Sequence, residues 1–79
     1  MNIRVKYFGM VAERTLRSEE AIAMESNQTI EDLHHLLLQR YPDLASAEYR
    51  LSHNQKLSGG NEIMSDGDEI ALLPPFAGG

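Results

Sequence analysis

The residues best suited to chemistry stand at positions 74–79, which read PPFAGG. Two consecutive prolines favour an extended polyproline conformation, and a segment of this length reaches ~20 Å. Gly78 and Gly79 have no side chains, so this end fits a narrow channel in another protein. The α-carboxylate of Gly79 can be activated as an acyl-adenylate, from which a sulfur donor displaces AMP and leaves a thiocarboxylate. We therefore expect residues 74–79 to form a flexible tail that carries the reactive group. The simpler interpretation of a glycine pair is a frayed terminus.

Side-chain chemistry has much weaker support. The chain has no cysteine, which excludes a thiolate nucleophile, a disulfide and a thiolate zinc site. His34 and His35 are neighbours on a predicted helix and point about 100° apart, so they do not chelate one metal ion from a single face. His53 lies on a predicted strand without a partner at metal-ligand spacing. We interpret all three histidines as surface or half-buried residues and predict no metal site.

Two other segments have only a superficial likeness to ligand-binding loops. Gly59 and Gly60 are not followed by the Lys and the Ser or Thr of a phosphate-binding loop, and we interpret them as a turn. The run DGDE at positions 66–69 lacks the spaced ligands of a calcium loop. It predicts a hairpin turn.

Composition narrows the class of protein. A length of 79 residues allows one domain and is too short for two, so we predict a single domain over 1–79. The 12 acidic residues outnumber the 7 basic ones, which argues against nucleic-acid binding and suits either a basic partner or plain solubility. No apolar run approaches the ~20 residues of a membrane span, and charged residues interrupt the N-terminal segment where a signal peptide would be apolar. We expect a cytoplasmic protein with no membrane contact.

Alternating residues predict the strands. Over 3–8, Ile3, Val5 and Tyr7 share one face and alternate with basic residues, which indicates a half-buried strand. By this parity Phe8 points away from the core. Three further strands are predicted at 20–25, 49–53 and 69–73, the last of which ends at the two prolines.

The clearest helix begins after Thr29, a suitable N-cap, with Asp32 three residues later as a variant of the capping box. Apolar residues recur along it at spacings of three and four and form one stripe: Ile30, Leu33, Leu36, Leu37 and Tyr41. Pro42 ends the helix. Residues 10–17 form a short connection compatible with one or two helical turns around Val11, Ala12 and Leu16.

The order of elements is strand, strand, helix, strand, short strand or turn, strand. One amphipathic helix must then cover one face of a mixed sheet, which is an α+β two-layer arrangement. The β-grasp fold has this order and places its first and last strands side by side at the centre of the sheet. The predicted core consists of Ile3, Val5, Tyr7, Ile22, Met24, Leu33, Leu36, Leu37, Leu51, Ile70 and Leu72.

Four segments resemble a known family: IRVKYFG at 3–9, NQ at 54–55, DGDEIA at 66–71 and LLPPFAGG at 72–79. They are similar to the small subunit of molybdopterin synthase, a ubiquitin-like sulfur carrier with a β-grasp fold. The PPxxGG end is the most specific of these matches, whereas the acidic turn is shared with other β-grasp carriers.

The resemblance implies a cycle. An E1-like adenylyltransferase would use ATP to form a glycyl adenylate on Gly79, and a sulfurtransferase would convert it to the thiocarboxylate (a 1-thioglycine). The tail would then enter the large catalytic subunit of molybdopterin synthase and donate sulfur to cyclic pyranopterin monophosphate, within a heterotetramer. The small subunit would bind no cofactor and would not be catalytic alone.

Parity also predicts a partner-binding surface. Phe8 and Leu73 face outward on strands that this fold makes neighbours, and Leu57 lies near a turn. We predict that these three residues form an exposed apolar patch beside the root of the tail, because such patches on small domains often mark partner sites. The partner-binding residues of the tail itself are predicted to be Pro74, Pro75, Phe76, Ala77 and Gly78.

Three alternatives remain at the level of sequence. The chain is compatible with a sulfur carrier for thiamine or another pathway. It is also compatible with a ubiquitin-like modifier that forms isopeptide bonds to lysines, and with a β-grasp binding module whose tail has no chemistry. The first two use the same terminal carboxylate, so the mass of the tail and the presence of conjugates distinguish them. A binding module would tolerate removal of Gly79.

Overall fold

The computed structural model describes residues 1–75. These residues form five strands, two α-helices and a 3₁₀ helix. In chain order they are β1 (Asn2–Tyr7), α1 (Met10–Thr15), β2 (Glu19–Ala23), α2 (Ile30–Arg40), the 3₁₀ helix (Pro42–Ser46), β3 (Arg50–His53), β4 (Lys56–Leu57) and β5 (Glu69–Leu73).

The strands form one mixed sheet in the order β2-β1-β5-β3-β4. β1 and β5 are parallel and central, and every other pair is antiparallel. The predicted α+β, β-grasp arrangement is therefore confirmed, including the adjacency of the first and last strands. Because β1 and β5 are parallel, their carboxyl ends meet at the same edge of the sheet, and the chain leaves β5 at that edge.

The core lies on one face of the sheet, where α2 packs. Most predicted core residues are buried there, and Leu33 and Leu37 are fully covered on α2. Leu36 and Leu51 were predicted to belong to the core, but both are only partly buried at its margin. Ile30, Leu33 and Leu37 define the inward direction of α2, so Leu36 lies at the edge of that stripe.

Four other residues of the core cluster were absent from the predicted list: Val11, Ile30, Leu44 and Met64. Three of them lie in short or irregular segments whose burial depends on how those segments fold back onto the sheet. Leu16 was expected to contribute to the apolar side of the first helical turns, but it is 88% exposed. It has a left-handed conformation and caps the end of α1, so its side chain points into solvent.

The start of α2 has the predicted capping box. The backbone N–H of Asp32 donates to Thr29 Oγ1 at 3.2 Å, and the backbone N–H of Thr29 donates to Asp32 Oδ2 at 2.9 Å. The hydrogen bonds that the Asp32 carboxylate accepts from the backbone and the side chain of Thr29 lower the pKa of Asp32. The helix ends at Arg40, with Tyr41 as its C-cap and Pro42 next in the chain, as predicted.

Candidate functional site

The candidate site lies at the sheet edge where β1 and β5 both end. Tyr7 is level with Leu72 in the parallel ladder. The backbone N–H of Phe8 donates to Leu72 O at 3.3 Å, so the pairing continues one residue beyond β1. This register places Phe8 beside the last residues of β5, immediately before Pro74.

Phe8, Leu57 and Leu73 line one shallow depression on the face of the sheet opposite α2. We call these three residues the apolar patch. Phe8 is 42% exposed, Leu57 is 66% exposed and Leu73 is half-buried. The structure therefore brings together the three residues that parity and the fold placed here.

Small side chains shape the patch. Ser52 on β3 is level with Ala71 on β5, and both are buried although they face away from α2. Their size leaves a hollow between the larger side chains of the patch. A pair formed by Lys6 and Glu69, with Nζ and Oε1 3.3 Å apart, lines the same hollow. The surface is thus apolar beside the tail and charged farther from it.

A tight hairpin positions Leu57. Asn54 and Gln55 connect β3 to β4 and both have positive φ values, of 50° and 73°. Two consecutive residues in this conformation are typical of the two-residue hairpin turns whose twist matches that of the strands. The turn pairs Leu57 with Ser52, which places Leu57 on the same side of the sheet as the rest of the patch.

The root of the tail lies in a second groove. Pro74 and Pro75 line it together with Phe8 and residues of α1 and of the segment after α2. Arg14 lines this groove and donates to Asp43 O at 2.8 Å, which ties α1 to the 3₁₀ helix. Pro74 is half-buried and Pro75 is exposed. The predicted site residues Phe76, Ala77, Gly78 and Gly79 lie outside the described residues.

The start of β5 is organised quite differently, by polar contacts. Asp68 accepts hydrogen bonds from the backbone N–H of Ser65 at 2.8 Å and from Asn54 Nδ2 at 3.2 Å, and its Oδ2 lies 2.7 Å from His53 Nε2. The contact with His53, the bond from Ser65 and the bond from Asn54 lower the pKa of Asp68. His53 is half-buried in this network, so its role in the described structure is to join β3 to the turn before β5.

The arrangement is thus a small β-grasp domain with an apolar patch at the exit of its last strand. The model of the ThiS family matches residues 5–79. The chain belongs to the ThiS family. The match begins within β1 and includes the other four strands and the final glycines.

This ThiS-family chain is similar to several known proteins of about the same length. The "Molybdopterin synthase sulfur carrier subunit" of Mycobacterium tuberculosis is 29% identical, and the alignment covers 100% of this chain and 99% of that protein. SAMP1 from Haloferax volcanii shares the fold, with a TM-score of 0.85 at 24% identity and complete coverage of both chains. A protein–protein complex of subunits 1 and 2 of the molybdopterin-converting factor from Helicobacter pylori contains a chain that matches with a TM-score of 0.71 and 27% identity, again over both whole chains.

Sequence reasoning missed a buried carboxylate, that of Glu20, which lies near the end of β1 in this ThiS-family domain. Glu20 accepts hydrogen bonds from the hydroxyls of Tyr7 and Tyr41, the latter at 2.6 Å, and pairs with Arg17 at 3.1 Å and Arg40 at 3.7 Å. Burial acts to raise the pKa of Glu20, but the two hydroxyls and the two guanidinium groups outweigh it and lower the pKa. Burial and the contact with Glu20 raise the pKa of Tyr7.

This cluster joins the ends of β1 and α2 to the start of β2. Its members lie between Tyr7 and Tyr41, and apart from Arg17, three positions before Glu20, no local spacing relates Glu20 to its partners. The Glu20 carboxylate finds all of these partners within the domain. We therefore interpret the cluster as a structural support for the sheet edge from which the tail departs.

Residues 1–75 contain neither a candidate metal site nor a helix able to span a membrane. This part of the chain has no group of three or more His, Asp or Glu side chains placed to hold a metal ion. None of the helices described there has the length and apolar character needed to cross a bilayer.

Proposed function

We propose that the chain is the sulfur carrier of molybdopterin synthesis and that the Gly79 carboxylate is its reactive group. One observation carries this proposal: the chain aligns from end to end with the M. tuberculosis protein of that name. The family match that reaches residue 79 supports a role for the glycine end, because it extends well beyond the folded strands.

The proposed chemistry proceeds in three steps before transfer. A carboxylate oxygen of Gly79 attacks the α-phosphorus of ATP on an E1-like adenylyltransferase, which forms the glycyl adenylate and releases pyrophosphate. The outer sulfur of a sulfurtransferase persulfide then attacks the acyl carbon and AMP leaves, which gives an acyl disulfide. A thiol reductant supplies two electrons to cleave the S–S bond, which leaves the thiocarboxylate on Gly79 and a thiol on the sulfurtransferase. The absence of cysteine from the chain fits this route, because the sulfur is held by the main chain and needs no thiol.

Delivery depends on the described end of β5. We propose that the apolar patch binds the large catalytic subunit and that Pro74, Pro75, Phe76, Ala77 and Gly78 guide Gly79 into its pocket. Two exposed large side chains and a half-buried leucine supply apolar area next to the tail, as a docking surface requires. The H. pylori complex of two converting-factor subunits supports a partner of this kind. In the pocket of this chain's large subunit, the Gly79 thiocarboxylate would donate its sulfur to cyclic pyranopterin monophosphate.

Mass spectrometry of the protein recovered from cells tests the proposal. The carrier is expected to contain a fraction heavier by the difference between one sulfur and one oxygen atom, located on Gly79. Deleting the activating enzyme should remove that fraction.

The same experiment separates the alternatives. Isopeptide conjugates to lysines of other proteins, without a thiocarboxylate, would indicate a modifier and contradict the carrier proposal. An unmodified terminus under all conditions would indicate a binding module. Transfer of the sulfur to a thiazole precursor but not to cyclic pyranopterin monophosphate would identify a thiamine carrier.

A further inference from the structure

The turn after β1 has a backbone conformation that side chains disfavour. Gly9 has φ 57° and ψ −132°, and the backbone N–H of Val11 donates to Phe8 O at 3.2 Å across it. These values match the first central position of a type II′ turn, which glycine normally fills. The turn joins β1 directly to α1 and leaves Gly9 facing the root of the tail.

Gly9 also lies unusually close to Pro74. A Cβ atom added to Gly9 would be 3.1 Å from Pro74 Cγ, which is closer than ordinary van der Waals contact between carbon atoms. Gly67 provides a comparison within the same chain. It also has a positive φ, of 86°, but a Cβ atom there would meet nothing within 4 Å. The absence of a side chain at Gly9 therefore allows both the positive φ and the close approach of Pro74, whereas at Gly67 it allows only the positive φ.

Hydrogen bonds cannot hold the chain at Pro74 and Pro75 in the way they hold β5. The last bond from β1 to β5 in this direction runs from Phe8 N to Leu72 O. Proline has no backbone N–H, so neither Pro74 nor Pro75 can donate to a ladder. The position of this segment then depends more on packing, and Pro74 is the residue that a Cβ atom added to Gly9 would meet within 4 Å, apart from the chain neighbours of Gly9.

We propose that Gly9 is a positioning residue for the tail. Its bare backbone provides the seat for the Pro74 ring, and this contact determines where Pro75 lies and hence where the tail departs from the domain. The inference rests on the proposed function, since it assigns Gly9 a part in delivering the Gly79 thiocarboxylate. A displacement at Pro74 shifts the point from which the tail enters the partner's pocket, and a misplacement of ~1 Å at reacting atoms can reduce a rate ~100-fold.

The test measures sulfur transfer by folded, thiocarboxylated protein to the large subunit loaded with cyclic pyranopterin monophosphate, in single-turnover experiments. Gly9→Ala is expected to reduce the rate by roughly 100-fold. Gly67→Ala is the matched control, because it places a side chain at a positive φ without a new contact. It should lower the unfolding free energy and leave the transfer rate of the folded protein unchanged.

Double variants separate the contact from the backbone conformation of Gly9. Pro74→Ala removes the Cγ atom that the new methyl group would meet. The fold-reduction in transfer rate caused by Gly9→Ala should therefore be smaller in the Pro74→Ala background than in the wild type, by a factor of about three or more. Pro75→Ala is the control, since it also removes a proline ring but not that atom, and it should give no such relief. Equal losses in all three backgrounds would overturn the proposal.

A second measurement does not depend on activity. In the wild-type protein we expect a nuclear Overhauser effect between the α-protons of Gly9 and the γ-protons of Pro74, and its absence would overturn the proposal. Failure of the wild type to transfer sulfur would contradict the proposed function alone, because the Overhauser effect would still report on the Gly9–Pro74 contact.

Discussion

The two ends of β5 are held in opposite ways. At its start, Asp68 and Asn54 join the turn, β3 and the first residue of β5 by hydrogen bonds, among them the bond from Glu69 N to Asn54 Oδ1 at 2.9 Å. At its end, Pro74 lies close to Gly9, and Pro74 and the exposed Pro75 line a groove with Phe8 and Val11. The start is polar and internally satisfied, whereas the end presents an apolar surface to solvent.

This difference indicates how one strand serves both stability and function. The polar start uses its hydrogen-bonding capacity within the domain, so little remains there to bind a partner. The apolar end leaves Phe8 and Leu57 exposed, and covering them requires another protein. We therefore expect changes at the start to alter unfolding and changes at the end to alter partner binding or sulfur transfer.

The largest expected effect is at the tail. Deleting Gly79 should abolish sulfur transfer and leave the free energy of unfolding unchanged. The shortened chain ends in the carboxylate of Gly78, which is withdrawn by about 3.5 Å from the position that the partner enzymes require. Single-turnover transfer and urea unfolding measure the two quantities.

Gly79→Ala is the matched variant for this prediction, because it retains the length of the chain and its terminal carboxylate. It should retain more transfer than the deletion does. Equal transfer by the deletion and the wild type would show that the reactive group lies elsewhere.

The next effect concerns the apolar patch. Phe8→Asp should weaken binding to the large subunit by about 2 kcal/mol or more, because a buried charge replaces an aromatic anchor at the interface. Its unfolding free energy should change little, since Phe8 is already 42% exposed in the free domain. Titration calorimetry with the purified large subunit measures the affinity.

Leu16→Asp is the control for the patch, since Leu16 is 88% exposed and does not line it. It introduces the same charge and should bind normally. Unchanged affinity of folded Phe8→Asp would show that the partner docks on another surface.

At the other end of β5, Asp68→Ala should lower the free energy of unfolding by about 1–3 kcal/mol, because the backbone N–H of Ser65 and the amide of Asn54 lose their acceptor. Asp66→Ala should cost less, since Asp66 accepts one bond, from the N–H of Asn2 at 2.7 Å. Urea unfolding compares them. Reduced transfer by folded Asp68→Ala would contradict the division of roles between the two ends.

The smallest effect is in the dependence of stability on pH. The folded domain lowers the pKa of Asp68 below 3.8, so ionised Asp68 stabilises the fold above that value. This contribution is lost as the pH falls through the folded pKa. Between about pH 5 and about pH 3, the wild type should therefore lose more stability than Asp68→Asn, measured by urea unfolding. Parallel curves for the two proteins would show that the fold does not favour the ionised form of Asp68.

Much of this division could be predicted from local sequence. The capping residues Thr29 and Asp32 and the alternation in β1 identify elements because each depends on residues a few positions apart. The outward parity of Phe8 and Leu73 then predicted the patch, once the fold made β1 and β5 neighbours. The prediction that the tail carries the reactive group rested on its composition and on the family resemblance.

The remainder depends on contacts between distant parts of the chain. Arg17 stands three positions before Glu20, but nothing in the sequence indicates that Tyr7, Tyr41 and Arg40 also surround that carboxylate. Leu44 is buried because the 3₁₀ helix folds back under α2, which periodicity does not predict. The approach of Gly9 to Pro74 requires the three-dimensional register of β1 and β5, although both residues stand in recognised motifs.

The most direct test of the central claim follows labelled sulfur through one turnover. Protein carrying isotopically labelled sulfur on the Gly79 carboxyl group is mixed with the large subunit and cyclic pyranopterin monophosphate. The account predicts that the label appears in the dithiolene of the product while Gly79 returns to an ordinary carboxylate. Label that remains on Gly79, or product whose sulfur comes from another source, would contradict it.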